Sequence, residues 1–211
     1  EGDWLDFRPG QYLQVEIPGT ETVRSYSPSS IAADLPRLEL LVRLLPGGAM
    51  SSWLEGGAKP DDVVKIKGPY GAFFLREDHR RAKHIFVAGG TGLAPVLSMV
   101  DGIRQWGGRK PPMLLSFGCA VPEALFCLDE LELRRQWLPT LETRISVDRG
   151  AQGDVLSGSP VAALREGDVP NADTVAYLCG PQPMIDAATR RLIELGVPPE
   201  HIYSEQFVAS H

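Results

Sequence analysis

A change of pattern near residues 76–83 is the feature that most limits how this chain can fold. Before it, short apolar alternations are separated by frequent glycine and proline. After it, apolar segments of strand length alternate with segments of helical period. The first pattern is typical of antiparallel sheet and the second of parallel sheet with crossover helices. The sequence therefore predicts two units, residues 1–77 and 84–211, joined by a charged linker at 78–83.

The first unit is predicted to be a small antiparallel β-barrel. In residues 12–17 the apolar Leu13, Val15 and Ile17 alternate with polar residues, which is the pattern of a half-buried strand. Further strands are predicted at 22–27, 38–44, 63–67 and 72–75, with a short helix near 51–54. Many short strands with close turns favour a barrel over an open sheet.

The second unit is predicted to be a doubly wound parallel sheet of the α/β class. Strands are expected at 84–88, 113–118, 141–147, 174–178 and 202–207, and helices at 94–106, 129–137 and 181–195. Sheets of this kind bind ligands at the carboxyl ends of their strands. Residues that directly follow these strands are therefore candidate binding residues.

Charge and hydropathy exclude two kinds of partner. The chain has 21 Lys and Arg against 27 Asp and Glu, a net charge of -6, so it has no surplus of positive charge for a phosphate backbone. Its longest apolar runs have strand length, whereas a membrane span needs about 20 residues. We expect neither a nucleic-acid partner nor a membrane span.

The metal-binding residue types show no ligand spacing. The three cysteines are Cys119, Cys127 and Cys179, and the four histidines are His79, His84, His201 and His211. Neither set has the spacing of a zinc or iron–sulfur site, so we expect no metal in this chain and surface or strand-edge positions for the histidines. Unpaired cysteines at this spacing also favour a reducing, cytoplasmic location.

A glycine-rich turn follows the first predicted parallel strand. Residues 87–95 read Val-Ala-Gly-Gly-Thr-Gly-Leu-Ala-Pro. Gly89, Gly90 and Gly92 would let the backbone approach a pyrophosphate, while the helix N-terminus supplies amide donors. Pro95 replaces a last glycine and suits the first helical turn. Taken alone, a tight turn without a ligand is an equally good interpretation.

Two segments of the first unit are candidate phosphate or ring contacts. Alternation places Arg24 and Tyr26 on one face of a strand, where a cation and an aromatic ring could hold one ligand. Residues 47–54 form a glycine turn that enters a short helix, whose free amides would accept a phosphate. A solvent-facing strand and a plain N-cap are the alternatives.

Two segments near the carboxyl end of the chain complete the set. Residues 177–184, Tyr-Leu-Cys-Gly-Pro-Gln-Pro-Met, place Cys179 where a late parallel strand ends. Glu205 and Phe207 follow at the last predicted strand. The alternatives are a small buried thiol and a frayed chain end.

The order of these motifs resembles the ferredoxin-NADP reductase superfamily. The series is R-x-Y-S, G-x-M-S-x-x-L, G-P-Y-G, G-G-T-G-x-x-P, Y-L-C-G-P-x-x-M and E-x-F, and it covers essentially all 211 residues. Residues 86–99 and 123–131 are most similar to reductase components of bacterial multicomponent oxygenases, of the soluble methane monooxygenase reductase type. The resemblance implies an FAD-binding barrel followed by an NAD-binding domain.

The resemblance implies flavin contacts at the first unit. Arg24 would pair with the FAD pyrophosphate, Tyr26 would pack on the isoalloxazine, and Ser27 would hydrogen-bond near flavin N5. The pyrophosphate would also meet the backbone amides of Gly48, Ala49, Met50 and Ser51.

The resemblance likewise implies nucleotide contacts and catalytic residues in the second unit. The nicotinamide nucleotide would be seated by Gly89, Gly90, Thr91, Gly92 and Pro95, and framed by Gly180, Pro181 and Met184. Cys179 would lie against the nicotinamide, with Ser27, Glu205 and Phe207 as the other catalytic residues and Phe207 covering the flavin. NADPH-selective relatives place a Ser-Arg pair where this chain has Asp148 and Arg149, which implies a preference for NADH.

The implied reaction is hydride transfer from NADH to FAD, followed by release of single electrons. In oxygenase reductases of this type the acceptor is a [2Fe-2S] domain, but no C-x4-C-x2-C stands in the chain. The chain begins at Glu1, close to a predicted strand, so we expect the first barrel strand and the cluster domain upstream. The implied partners are that ferredoxin domain and an oxygenase hydroxylase component.

Three departures and alternatives remain open. Residues 208–211 follow the terminal aromatic, which many relatives lack, so a strict gating role for Phe207 is open to question. A stand-alone NAD(P)H reductase for a ferredoxin or heme acceptor is the second interpretation. A non-catalytic nucleotide-binding module is the third.

Overall fold

The chain folds around two β-sheets, as seen in a computed structural model that describes residues 5–207. The strands are β1 (Tyr12–Glu16), β2 (Val23–Tyr26), β3 (Lys65–Tyr70), β4 (His84–Gly89), β5 (Met113–Cys119), β6 (Leu141–Val147), β7 (Leu156–Ser157), β8 (Val175–Gly180) and β9 (Ile202–Gln206). The helices are α1 (Ala49–Gly56), α2 (Leu93–Gln105), α3 (Leu128–Trp137) and α4 (Gln182–Glu194). Within residues 5–207 no helix is both long and apolar enough to cross a membrane.

The first sheet is antiparallel, with strand order β2-β1-β3. Leu13 and Val15 are buried on one face of its central strand β1, as the alternation predicts. Val15 lies opposite Arg24 on β2 and Ile66 on β3. Residues that face each other across an antiparallel pair share a side of the sheet, so Arg24 points to the same face as Val15.

The predictions of strands at residues 38–44 and 72–75 are wrong. Residues 38–44 contribute one isolated bridge, Leu40 to Pro28. The Ser29 N–H donates to the Glu39 carbonyl at 2.9 Å, but the Glu39 N–H is bonded by a serine side chain, Ser30 Oγ, at 3.0 Å. The ladder is therefore not continued.

Residues 72–75 form no strand, because their apolar side chains pack on the second unit instead of on the small sheet. Phe73 and Leu75 are buried in the larger hydrophobic cluster, together with residues of the parallel sheet and α2. The Leu75 N–H donates to the Pro9 carbonyl at 2.9 Å. The Arg76 N–H donates to the Tyr177 hydroxyl at 2.9 Å. The end of the first unit is therefore packed onto the second.

The second sheet is parallel, with strand order β7-β6-β5-β4-β8-β9. β4, β5 and β8 are buried along almost their whole length, because one hydrophobic cluster covers each face of the sheet. On α4 the predicted apolar face is confirmed, since Ala188 and Leu192 are buried and Met184 and Leu195 pack beside them. The two-residue β7 was not predicted, because two residues carry no periodicity.

His84 contradicts the expected surface or strand-edge position of the histidines. It is fully buried on the central strand β4, stacked on Phe86 and Tyr177 with ring centroids 6.2 and 6.1 Å away. A neutral imidazole packs like another aromatic ring, which is why the apolar run extends through it. His211 lies outside the described residues.

Candidate active site

The carboxyl edge of the parallel sheet is built by glycines that admit no side chain. A Cβ on Gly92 would collide with the Cys179 carbonyl, and one on Gly89 would lie 2.8 Å from the Met184 sulfur. The ends of β4 and β8 therefore approach each other as closely as backbone allows. This contact gathers the predicted nucleotide residues Gly89, Gly92, Cys179 and Met184 at one edge.

Gly90 differs from its neighbours because the space above it is open. Its φ is 55°, and among the described residues no atom outside Gly90 and its two chain neighbours lies within 4 Å of the position a Cβ would take. Thr91 is half-buried beside it, and Pro95 lies in the first turn of α2. Among the described residues no side chain caps this glycine turn or α2, and the Leu93 N–H is already bonded to the Gly90 and Thr91 carbonyls. The amides of the glycine turn before α2 can therefore meet an anionic group. These residues fit a dinucleotide pyrophosphate.

Cys179 is fully buried, which is less open than the sequence suggested. Its neighbours across the sheet are Ala88 on β4 and Glu205 on β9, and its side chain belongs to the larger hydrophobic cluster. Burial, and secondarily the charge of Glu205, raise the pKa of this thiol well above its usual range. The group is therefore a neutral thiol, and its predicted contact with a nicotinamide stays a prediction.

Ser27 and Glu205 bring the two units together. Ser27 Oγ and Glu205 Oε2 are buried, and apart from each other they have no hydrogen-bond partner among residues 5–207. Burial raises the pKa of Glu205 to about 7, and hydrogen bonding by the nearby Ser27 side chain opposes this rise. Buried polar atoms without partners are costly in a folded protein. The pair therefore fits the polar edge of a bound ligand.

Phe207 follows β9 and is anchored at the same edge. Its N–H donates to the Gly180 carbonyl at 3.1 Å, and its half-buried ring packs on the larger hydrophobic cluster. Gly180 itself is held close to Gly89, since a Cβ there would lie 3.2 Å from the Gly89 Cα. Pro181 begins the turn into α4. Residues 208–211, which bear on gating, lie outside the described part of the chain.

Two of the predicted flavin residues, Arg24 and Tyr26, share one face of the small sheet. Tyr26 lies opposite Leu13, and Arg24 opposite Val15, so alternation has the predicted effect. Tyr26 packs on the hydrophobic cluster that contains Met50, and burial raises the pKa of its phenol. Arg24 is half-buried, and one of its guanidinium N–H groups donates to the Val23 carbonyl at 3.0 Å.

The N-terminus of α1 is brought close to that face by Met50. Gly48 stands at the N-cap, and no side chain of residues 5–207 caps the helix. Ser51 Oγ instead accepts the Leu45 N–H at 2.7 Å, which shapes the preceding turn. The amides of Ala49 and Met50 thus have no capping side chain, and they fit an FAD phosphate.

One residue at the sheet edge escaped the sequence prediction. Cys119 ends β5, half-buried beside Gly90. Burial raises the pKa of its thiol, while the Gly90 amide and the charge of Arg43 lower it. Asp148 lies beside Cys119, because the Asp148 N–H donates to the Cys119 carbonyl at 3.1 Å. The Asp148 side chain is exposed. Cys119 could have been predicted as a site residue from its position at a strand end, which it shares with Cys179.

This arrangement defines a class of protein. A small antiparallel sheet precedes a doubly wound parallel sheet whose carboxyl edge is built by glycines. The buried Ser27 and Glu205 meet where the two units touch. Residues 1–75 match the oxidoreductase FAD-binding domain and residues 86–190 the oxidoreductase NAD-binding domain. The predicted two-part architecture is thereby confirmed.

Individual proteins similar to this chain define the family more narrowly than the two domain matches do. Methane monooxygenase component C of Methylosinus trichosporium is 47% identical over 163 residues, 76% of this chain and 47% of the relative. The toluate 1,2-dioxygenase electron transfer component of Pseudomonas putida is 36% identical over 206 residues, 98% of this chain and 60% of the relative. A solved Amycolatopsis cytochrome P450 reductase superposes with a TM-score of 0.86 at 29% identity, covering 97% of this chain and 62% of its own.

The chain belongs to the FAD- and NAD-binding oxidoreductases of the ferredoxin reductase family. The resemblance inferred from the six ordered motifs is confirmed. The chain spans about half to three fifths of the length of the curated relatives compared above.

Proposed function

We propose that this chain is the flavin and nucleotide part of an oxygenase reductase, which passes electrons from NADH through FAD to a [2Fe-2S] acceptor. The observation that carries the proposal is the meeting of Ser27 and Glu205 beside the glycine edge of the parallel sheet. Apart from each other, Ser27 Oγ and Glu205 Oε2 have no hydrogen-bond partner in the part of the chain that the structure describes. A flavin bound by the first unit and a nicotinamide bound by the second would share that junction.

The proposed domains follow the sequence prediction. Residues 1–77 would bind FAD, residues 78–83 would link, and residues 84–211 would bind NADH. The family matches at 1–75 and 86–190 support this division, although the packing of Phe73 and Leu75 on the second unit implies that the two do not move freely.

The first unit would hold the flavin by charge, stacking and helix amides. Arg24 would pair with the pyrophosphate, and a charge-assisted hydrogen bond of this kind is worth about 1.5 to 3 kcal/mol. Tyr26 would lie against the ring, and Gly48, Ala49, Met50 and Ser51 would present the open end of α1. Two separate phosphate contacts suit FAD better than FMN, which has one phosphate.

The second unit would seat the nucleotide on its glycine edge. The open space over Gly90 and the amides of the glycine turn before α2 would accept the pyrophosphate. Met184 and Pro181 already lie against Gly89 and would frame the nicotinamide. Asp148, exposed beside the end of β5, would repel a 2'-phosphate and favour NADH.

The flavin, when bound, supplies the ability to accept an electron pair and to release electrons singly. The residues around the flavin would orient the two rings and exclude water from them. Ser27 Oγ would donate to the ring edge, and Glu205, with a pKa of about 7, would hold a proton close to it near neutral pH. Cys179 would shape the nicotinamide pocket as a neutral thiol, and Phe207 would keep water from the ring face.

The partners and location are proposed from the relatives. The two curated relatives described above are parts of oxygenase systems, which supports a [2Fe-2S] ferredoxin domain and an oxygenase hydroxylase as partners. The three cysteines are free, which supports a cytoplasmic setting. The Amycolatopsis relative is a cytochrome P450 reductase, so a heme acceptor is the second candidate.

Two assays test the proposal. Mass spectrometry of the flavin released from the purified protein should give FAD, and finding FMN or no flavin would contradict it. NADH-driven reduction should then be measured with a purified [2Fe-2S] ferredoxin and, separately, with a P450 heme protein. Faster reduction of the ferredoxin supports the oxygenase-reductase assignment, whereas faster reduction of the heme protein supports the second candidate.

A further inference from the structure

Helix α2 makes buried contacts with both units. Its N-terminus is the glycine turn at the carboxyl edge of the parallel sheet. Ten of its thirteen residues are buried: Leu93, Ala94, Pro95, Val96, Leu97, Ser98, Met99, Val100, Asp101 and Ile103. A surface helix of a doubly wound sheet normally buries one stripe and exposes the other. The additional burial therefore needs a second packing surface, and the first unit provides it.

The contact between α2 and the first unit includes a buried hydrogen bond and a close approach of the helix backbone to Pro9. Ser98 Oγ donates to the Ser30 carbonyl at 2.7 Å, and Ser98 is fully buried. One turn along, a Cβ on Gly102 would lie 2.8 Å from the Pro9 ring. Ser98 and Gly102 share a helix face because they are four residues apart. The helix thus lies directly against the first unit, with one buried hydrogen bond fixing its register.

The segment that receives this bond is buried and hydrogen-bonded to Glu39. Ser27, Ser29 and Ser30 are all buried. Ser30 Oγ accepts the Glu39 N–H at 3.0 Å, and the Ser29 N–H donates to the Glu39 carbonyl at 2.9 Å. A shift at the Ser30 carbonyl would therefore be transmitted to Ser27, three residues earlier, rather than absorbed locally.

We propose that Ser98 is a positioning residue, whose hydroxyl sets the register between the nucleotide-binding end of α2 and the chain segment that carries Ser27. The inference rests on the proposed function for its effect on electron transfer, but its structural part does not. Displacement of reacting groups by about 1 Å can slow a reaction about 100-fold. Loss of the bond should thus slow the reaction at saturating NADH, without loss of either binding site.

Ser116 offers a matched control within the same protein. Its Oγ donates to the Pro160 carbonyl at 2.7 Å, and the residue is fully buried. Both partners of that bond belong to the second unit. Ser98→Ala and Ser116→Ala therefore remove equivalent buried hydrogen bonds, and only the first of these joins the two units.

The two variants are compared by stopped-flow reduction of the bound flavin. We expect Ser98→Ala to lower the limiting rate at saturating NADH at least fivefold, with the dissociation constants of NADH and flavin changed less than twofold. Ser116→Ala should keep the limiting rate within twofold of the parent. Equal limiting rates for the two variants would overturn the positioning role.

A second readout is independent of the reaction. Amide hydrogen exchange in the peptide covering residues 27–30 should become at least fivefold faster in Ser98→Ala and stay unchanged in Ser116→Ala. Unchanged exchange in Ser98→Ala would overturn the proposal even if the rate fell. If NADH fails to reduce the parent protein, the proposed function fails while the exchange result still decides the role of Ser98.

A conservative variant covers the case in which Ser98→Ala does not fold. Ser98→Cys keeps a similar volume and a weak donor. It should give partial effects on both the limiting rate and the exchange, and parent-like values for both would overturn the proposal.

Discussion

Replacing His84 by Phe should remove a specific part of the acid sensitivity of this protein. Nδ1 of His84 donates to the Ala82 carbonyl at 2.9 Å, so the neutral ring carries its lone pair on Nε2. That atom is buried and has no partner among the described residues. Protonation would therefore bury a charged N–H that has no acceptor among the described residues. Burial accordingly lowers the pKa of His84 from 6.5 to about 4.

The sign and size follow from linkage. A folded-state pKa below the unfolded one gives stability that is present above pH 6.5 and lost as pH falls toward 4. With about 1.4 kcal/mol for each pKa unit, the parent protein should lose about 2.5 kcal/mol from His84 between pH 7.5 and 4.5. Glu205 acts in the opposite direction, because its pKa is raised, so its stabilisation is present at low pH and lost as pH rises to about 7.

The comparison of parent and variant isolates the His84 contribution. Glu205 is present in both proteins and cancels in the difference. His84→Phe keeps an aromatic ring in the stack but leaves the Ala82 carbonyl unpaired, which costs about 1 to 3 kcal/mol at any pH. Urea unfolding followed by tryptophan fluorescence should show the variant less stable at pH 7.5, with the gap shrinking by about 2.5 kcal/mol at pH 4.5. Parallel pH profiles would refute the assignment.

Three further predictions concern the proposed binding residues. Arg24→Ala should weaken flavin affinity by about ten- to a hundredfold; a variant that stays fully yellow through dialysis would show that Arg24 is not on the pyrophosphate. Cys179→Ala should slow flavin reduction with flavin content normal, and an unchanged stopped-flow rate would leave Cys179 as a small buried residue. The parent should prefer NADH over NADPH by at least about 10-fold in kcat/KM, since a repulsion of 1.4 kcal/mol is tenfold. Asp148→Ser should narrow that gap by improving NADPH alone with ferricyanide as acceptor, and a gap untouched by the change would exclude Asp148 from the 2' position.

The fold was predictable where the pattern was long and the packing two-sided. The parallel strands β4, β5 and β8 are continuous apolar runs because both faces of the sheet are covered, and the sequence shows them almost to the residue. Residues 38–44 and 72–75 have the same local pattern but form no strands. Their backbone partners are serine hydroxyls and a neighbouring loop, which no periodicity encodes.

Part of the candidate site was also predictable from the sequence, and part was not. The glycine turn and the Cys179 segment were recognisable because they follow predicted strands, where parallel sheets bind ligands. Glu205 was a candidate from its place at the last strand, and the resemblance gave Ser27 its role. The meeting of these two residues was not predicted, since about 180 residues separate them. The contact between α2 and the first unit could not be predicted, because Ser98 is one apparently ordinary serine in an apolar helix.

Anaerobic mixing of the flavin-loaded protein with NADH tests the central claim most directly. If the two units hold flavin and nicotinamide in contact as proposed, the yellow absorbance should bleach in a single fast phase whose rate saturates with NADH concentration. Deuterium at the transferred position of the nicotinamide should slow that phase. A flavin that stays oxidised, or a bleaching rate that is linear in NADH with no saturation and no isotope effect, would contradict the account.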